Sequence, residues 1–531
     1  MTPHPEANPS LSPEPMGVPA ERRSSRFDRP LAVLAWLVIV ATFLVFVRAQ
    51  NERREERMEG GGAGLRIAEL QAKYMVGAAN MTGSGPAAPG DAQPRDAAAA
   101  QQLVDAAGMI NAGSVEQRLR YVVVVGELGG PRRMLEAAAR LRAELPGDAG
   151  GESPRPAAGT AATLDALERV AATRALREAS EPPTDAGISA TSASPATSTA
   201  TGPVVSSADA ALLRKNLGWF GELALVPAAS GESAERSAVL APAKRLVVGA
   251  ITLLVVAGIA ATAGFAGLIV LLVLALLGTV RPRFRSGAAR ASVYAETFAV
   301  WFLLFLGFAA TVGRLAALGP MGSSIVAMLG SLAALGWPVL RGIPFADVRR
   351  DIGLHTGRGV LREALAGVAA YAMTLPLLGI GILLMFALMW LGKRLGGAGS
   401  ESPFSPSDAP SHPLIEFIAG NGPTGMFMAA LLACVVAPLV EETMFRGVLY
   451  RHLRDATRRL GQWPSIVIAA LVAAFIFAAI HPQGWVTVPA LMSLACGFTL
   501  ARESRDSLIP GMVAHGVNNG AIVGLLVLAF A

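Results

Sequence analysis

The chain reads as an all-α polytopic membrane protein, and three observations carry that reading. Hydrophobic residues fill 53% of its 531 positions and charged residues only 16%, with a mean hydropathy of +0.48, a balance too apolar for an ordinary soluble protein. The apolar residues gather in runs, several close to the roughly 20 residues a helix needs to cross a bilayer. The basic residues cluster in short loops beside those runs, where they orient helices in the membrane.

The elements follow in order. Residues 1–29 are rich in Pro, Ser and Glu and carry Arg22, Arg23, Arg26 and Arg29 ahead of the apolar run Leu31 to Val47. This is the pattern of a cytoplasmic tail followed by a signal-anchor helix over 30–47. The polar leader and the length of the apolar run weigh against a cleaved signal peptide. From 48 to 245 the chain turns polar and Ala-rich, with helical stretches near 62–80, 95–108, 114–144 and 159–179 punctuated by Gly and Pro. A Ser/Thr/Ala/Pro tract over 180–206 buries too little apolar surface to fold and is a linker. The 48–245 region is expected to be a helical domain on a flexible tether, with no motif of its own and an unknown partner.

Residues 246–531 form the membrane-embedded domain, with eight apolar segments near 246–280, 297–313, 321–340, 364–392, 424–449, 464–480, 486–501 and 507–530. With a cytoplasmic N-terminus and single crossings, the cytoplasmic loops hold Arg281, Arg283, Arg349, Arg350, Arg451, Arg454, Arg458 and Arg459 among others. The opposite loops of this domain hold only Lys244, Arg245, Arg314, Lys393 and Arg394. That asymmetry places 48–245 outside the cytoplasm. The formal charge of +6 belongs to these loops, so membrane lipid rather than nucleic acid is the expected partner. Cys434 and Cys496 lie in apolar segments without metal-type spacing, which indicates neither a disulfide framework nor redox chemistry.

Beyond the first core helix, Glu441 and Glu442 are the acids expected within a span, after a run from Gly425 to Val440 that is apolar apart from Cys434. Ionisable groups at membrane depth are expensive and point to function. Of six histidines, His4, His355, His412 and His452 fall in tails or loops, whereas His481 and His515 end or occupy apolar helices, with Asn518 and Asn519 close by. Glu442 and Arg446, four apart, share a helix face and can pair; Glu441 points about 100° away toward a cavity. Phe477 and His481 are also four apart, with Pro482 fixing the imidazole at a helix end. His515 and Asn519 repeat the interval, on a helix thinned by Gly511, Gly516 and Gly520 for close approach. A buried carboxylate beside an imidazole can take a proton from water. A second histidine and an amide suit a developing oxyanion. Hydrolysis of an amide is the simplest chemistry this set supports. A proton-coupled transporter relaying through Glu441, His481 and His515, or a non-catalytic membrane scaffold, could be built on the same helices.

The motifs EExxxR (Glu441, Glu442, Arg446), FxxxH (Phe477, His481) and HxxxN (His515, Asn519), in that order, resemble the CPBP family, also called Abi or CAAX proteases. The resemblance covers roughly 246–531 and implies an eight-helix core acting as an intramembrane endopeptidase on membrane-associated or lipidated, CAAX-like, proteins or peptides. It also implies that Glu441 and His481 activate the hydrolytic water and that His515 and Asn519 stabilise the oxyanion. Glu442, Arg446 and Phe477 support them. Members have been described both as metalloproteases and as metal-free glutamate proteases, so the cofactor is none or Zn2+, with Glu441, His481 and His515 as ligands in the metal case. Their spacing differs from HExxH. The Ala- and Arg-rich composition fits a bacterial inner membrane.

Overall fold

A computed structural model describes residues 28–59, 62–82, 97–111, 114–145, 158–180, 205–226, 233–279, 282–284, 291–312, 319–395 and 413–530. Among them every regular element is helical, and nine helices are long and apolar enough to cross a membrane. The expected tail at 1–27, His4, His412 and most of the 180–206 tract lie outside the described residues.

Helix α1 (Asp28–Glu59) contains the anchor run and continues well past Val47. The outer helices are α2 (Gly62–Thr82), α3 (Ala97–Ala107), α4 (Val115–Gly129), α5 (Pro131–Glu144), α6 (Ala158–Ser180), α7 (Ser207–Leu217) and α8 (Trp219–Leu225). The stretch expected near 114–144 is two helices, because Gly130 adopts φ 87° and Pro131 begins the next helix. A left-handed Gly before an N-terminal Pro is a strong chain-reversal signal. Helices α7 and α8 were not among the stretches expected. Val123, Leu141, Leu167, Leu213 and Phe220 share their common core.

The membrane helices are α9 (Ala234–Leu276), α10 (Ala291–Val312), α11 (Gly319–Leu340), α13 (Val360–Leu395), α15 (Gly422–Leu460), α16 (Gln462–Ala479), α17 (Val488–Arg505) and α18 (Ile509–Phe530). Two short helices, α12 (Phe345–Ile352) and α14 (Pro413–Gly420), precede α13 and α15. The boundary expected at 245 falls inside α9, whose 43 residues extend about 65 Å, roughly twice the hydrocarbon thickness. Its first turns pack against the helices of the preceding region. Trp219 Nε1 donates to Val239 O at 2.8 Å, and a Cβ on Gly77 of α2 would lie 2.5 Å from Ala243 O. Lys73 Nζ of α2 also donates to Ala529 O at the end of α18 at 2.9 Å. The outer helices therefore sit directly on α9 and α18.

Small residues set the helix crossings, as close packing in lipid requires. A Cβ on Gly264 of α9 would meet Ala372 O, one on Gly367 of α13 would meet Pro510 O, and one on Gly497 of α17 would meet the Thr374 side chain. A core cluster in the membrane helices joins α1, α10, α15 and α16 through Ile39, Phe298, Phe302, Phe445 and Phe477.

Two expectations about polar residues are corrected. Glu441 and Glu442 are not the only acids in the later spans. Glu296 is buried in α10 and accepts from Trp337 Nε1 and Arg341 Nε, both at 2.9 Å. Glu363, fully buried in α13, accepts from Arg505 at 2.8 and 2.9 Å. Both spans begin earlier than their apolar runs, because paired charges are tolerated at helix ends. His452 belongs to no loop either; it is buried in α15 and accepts from Trp36 Nε1 at 3.0 Å.

Candidate active site

The site is built on α15, α16 and α18, and its geometry begins with Pro438. Proline offers no N–H and cannot close the bond to the carbonyl four residues back, so α15 opens into a π-helical stretch over Leu432–Val436. The freed carbonyls face α18. Asn519 Nδ2 donates to Ala433 O at 2.8 Å, and a Cβ on Gly516 would lie 2.7 Å from Cys434 O. A second π-helical stretch runs over Glu442–Leu449. Such widened turns recur at functional sites, and neither was expected from the apolar pattern.

On this distorted helix Glu442 and Arg446 pair as expected, with Arg446 Nη1 2.9 Å from Glu442 Oε1 and both side chains buried. The guanidinium lies 4.5 Å from the centroid of Phe477 and 5.5 Å from that of Phe498. Phe477 in turn contacts the His481 ring at 4.3 Å, and Phe498 stacks on His515 at 5.4 Å with 22° between planes. One aromatic–cation stack therefore runs His481, Phe477, Arg446, Phe498, His515, held by ring quadrupoles facing positive charge. This gives Phe477 its supporting position. Phe498 was not expected, since no spacing links α17 to the motifs.

The two imidazoles are fixed through their Nδ1 atoms. His481 Nδ1 lies 2.6 Å from Phe477 O; a carbonyl only accepts, so this nitrogen carries the hydrogen and Nε2 faces the site. His515 Nδ1 lies 3.0 Å from Glu442 Oε1, the oxygen that also accepts from Arg446. Both Nε2 atoms then converge on Glu441, His481 at 4.0 Å and His515 at 3.8 Å from Oε2. That oxygen is sealed from solvent and has no hydrogen-bond partner among the described residues. Glu441 and His481 retain 18% and 19% side-chain exposure against 6% for His515, so the first two line the accessible side.

Asn519, the fourth expected residue, is oriented at both ends of its amide. Its Oδ1 accepts from Asn518 Nδ2 at 3.1 Å, and Asn518 Oδ1 accepts from the hydroxyl of Tyr371 on α13 at 3.4 Å. One Nδ2 hydrogen is committed to Ala433 O, and the second has no acceptor among the described residues. Tyr371, Asn518 and Asn519 thus form one hydrogen-bonded chain.

The three residues named as zinc ligands do not have zinc spacing. Two ligands of tetrahedral zinc, each about 2.05 Å from the ion, stand about 3.3 Å apart, shorter than the 3.8 and 4.0 Å separations here. Among the described residues no group of three His, Cys, Asp or Glu side chains is disposed to hold a metal ion.

No curated protein and no solved structure matches the chain. Residues 423–521 match the family model for type II CAAX prenyl endopeptidase Rce1-like proteins, an interval that contains Glu441, Glu442, Arg446, Phe477, His481, His515 and Asn519. The segment that carries the site is therefore similar to type II CAAX prenyl endopeptidases, in a chain whose described residues include nine helices long and apolar enough to cross a membrane.

Proposed function

We propose that this protein hydrolyses a peptide bond in membrane-associated or lipidated, CAAX-like, proteins or peptides, using Glu441 and His481 to activate water without a metal ion. The observation that supports this reading is the convergence of both histidine Nε2 atoms on the sealed Oε2 of Glu441.

In this reading a water held between Glu441 and His481 Nε2 gives a proton to the Glu441 carboxylate, and its oxygen attacks the carbonyl carbon. The C=O electron pair moves onto oxygen, where Asn519 donates the Nδ2 hydrogen not given to Ala433. His515 donates from Nε2 in its doubly protonated form, with Glu442 as counter-charge through Nδ1. When the tetrahedral intermediate collapses, the C–N bond breaks and the leaving amine takes the proton from Glu441. The products are a carboxylic acid and an amine, and Glu441 returns to its starting state. The basic-residue asymmetry of the loops supports a cytoplasmic N-terminus in the cell membrane.

The test is purified full-length protein against a fluorogenic, membrane-anchored peptide library, comparing wild type, Glu441→Ala and His481→Ala with and without chelator. The expected result is loss of turnover by at least about 100-fold in both variants and equal wild-type rates with chelator. Equal turnover in all three proteins would overturn the hydrolytic roles, and a chelator-abolished rate would overturn the metal-free mechanism.

A further inference from the structure

Helix α1 lies outside the family-matched interval, yet it enters the core around the site. Ala35 and Ile39 are buried in the same cluster as Phe445 and Phe477. Trp36 Nε1 bonds His452 in α15, and Phe43 packs on Phe475 of α16 at 6.5 Å between centroids. Further along, Gln50 Nε2 donates to Ile480 O at 2.6 Å. Residue numbers rise together on both helices, from Phe43–Phe475 to Gln50–Ile480, so α1 and α16 run parallel and Gln50, inside α1, lies beside the C-terminal end of α16.

That meeting point is where α16 presents His481. The last carbonyls of a helix lack intrahelical partners, and Pro482 removes the next N–H that could turn back to serve them. Gln50 reaches across from another helix to one of these carbonyls, on the residue that immediately precedes His481. The imidazole is then tied back to Phe477 O through Nδ1, so its Nε2 direction depends on how this helix end is held. Between α1 and the turn lies a small cavity lined by Val47, Gln50, Asn51, His481, Trp485 and Val488. Polar groups of α1 and the imidazole therefore border the same space.

We infer that Gln50 is a positioning residue for His481: by capping Ile480 O it fixes the end of α16, and with it the imidazole that acts on the water. The anchor helix is thus part of the catalytic unit and not only a membrane tether. This rests on the hydrolytic reading above, and the test is chosen to separate the two.

Full-length wild type, Gln50→Leu and the isosteric Gln50→Glu, which keeps the volume but offers no donor when ionised, are compared by turnover of a membrane-anchored peptide. The same proteins are compared by the rate at which diethyl pyrocarbonate carbethoxylates His481, read by peptide mass spectrometry, a measurement that needs no activity. Misplacing the imidazole should lower kcat about 10- to 100-fold in both variants while KM stays within about twofold. It should also change the His481 modification rate by about threefold or more and alter the pH profile of kcat, with Gln50→Lys, which restores a donor, returning toward wild type. A purely structural role would move neither the modification rate of His481 nor the shape of the pH profile. Wild-type kcat and modification rates in Gln50→Leu and Gln50→Glu would overturn the inference. If wild type itself shows no turnover, the hydrolytic reading fails, and the carbethoxylation rates still decide whether Gln50 positions His481.

Discussion

His515 Nδ1 and Glu442 Oε1 stand 3.0 Å apart, so the second carboxylate of the EE pair, and not the first, orients the imidazole whose other nitrogen faces Glu441. Glu442 Oε1 thereby serves two partners, the guanidinium of Arg446 and the imidazole of His515. Its helix neighbour Glu441 is left without a hydrogen bond at Oε2. Adjacent identical residues meet different neighbours because they point about 100° apart around the helix.

Glu441→Gln and Glu442→Gln should therefore fail differently. The first removes the proton acceptor and should abolish turnover. The second keeps Glu441 but weakens the hold on His515, and loss of such an orienting partner costs about 10- to 100-fold. Steady-state kinetics on the membrane-anchored peptide distinguishes them, and equal loss in both would contradict the division of roles.

Arg446→Met leaves the Glu442 charge buried without its main partner, a change that costs about 3–5 kcal/mol. The double variant Arg446→Met with Glu442→Leu removes the stranded charge and should recover much of that stability, though not activity, because His515 loses its anchor. Thermal unfolding in detergent measures the first effect and peptide turnover the second.

Gly516→Ala and Gly520→Ala test the helix contact one turn apart. A Cβ at 516 would lie 2.7 Å from the Cys434 carbonyl, a backbone atom that cannot step aside, whereas at 520 the nearest atom is the Cys434 thiol at 3.8 Å. Gly516→Ala should push α18 from α15, separate His515 from Glu442 and lower turnover by about 100-fold; Gly520→Ala should remain close to wild type. A deleterious Gly520→Ala with a tolerated Gly516→Ala would reject this packing.

In the outer domain, Arg169 bonds Asp209 at 2.5 and 3.0 Å and holds its carboxyl below the usual range; desolvation opposes this shift and the Ser206 hydroxyl assists it. A depressed folded-state value means the stabilisation is present above the unfolded value of about 3.9 and is lost as pH falls through the folded one. Asp209→Asn should speed amide exchange in α7 at neutral pH, and the gap from wild type should close on acidification below the carboxylate range. A gap that persists at the acid end would show that charge is not its source.

Much of this molecule was legible in the residues alone. Runs of apolar side chains fix where helices must cross lipid, because an unpaired backbone there is too costly, and the later spans duly fall near the expected segments. The four-residue intervals also carried their meaning: Glu442 with Arg446, and His481 tied to Phe477, follow from helix periodicity without knowledge of any neighbour. Pro438 was visible too, but its consequence was not. Which carbonyls its missing N–H releases, and what meets them, depends on α18 lying alongside with Gly516 and Asn519 in register.

Other decisions belong to the tertiary structure because they join residues far apart in the chain. Phe498 stacks on His515 from a helix that bears no motif, Tyr371 reaches Asn519 through Asn518, and Gln50 caps Ile480 from 430 positions away. The sequence by itself determined where the membrane helices run and which side chains are chemically able to act. Packing alone decided that one carboxylate would be shared by Arg446 and His515 while the other stood between two imidazoles, since that choice turns on distances of a few ångströms between helices whose relative rotation no local pattern encodes.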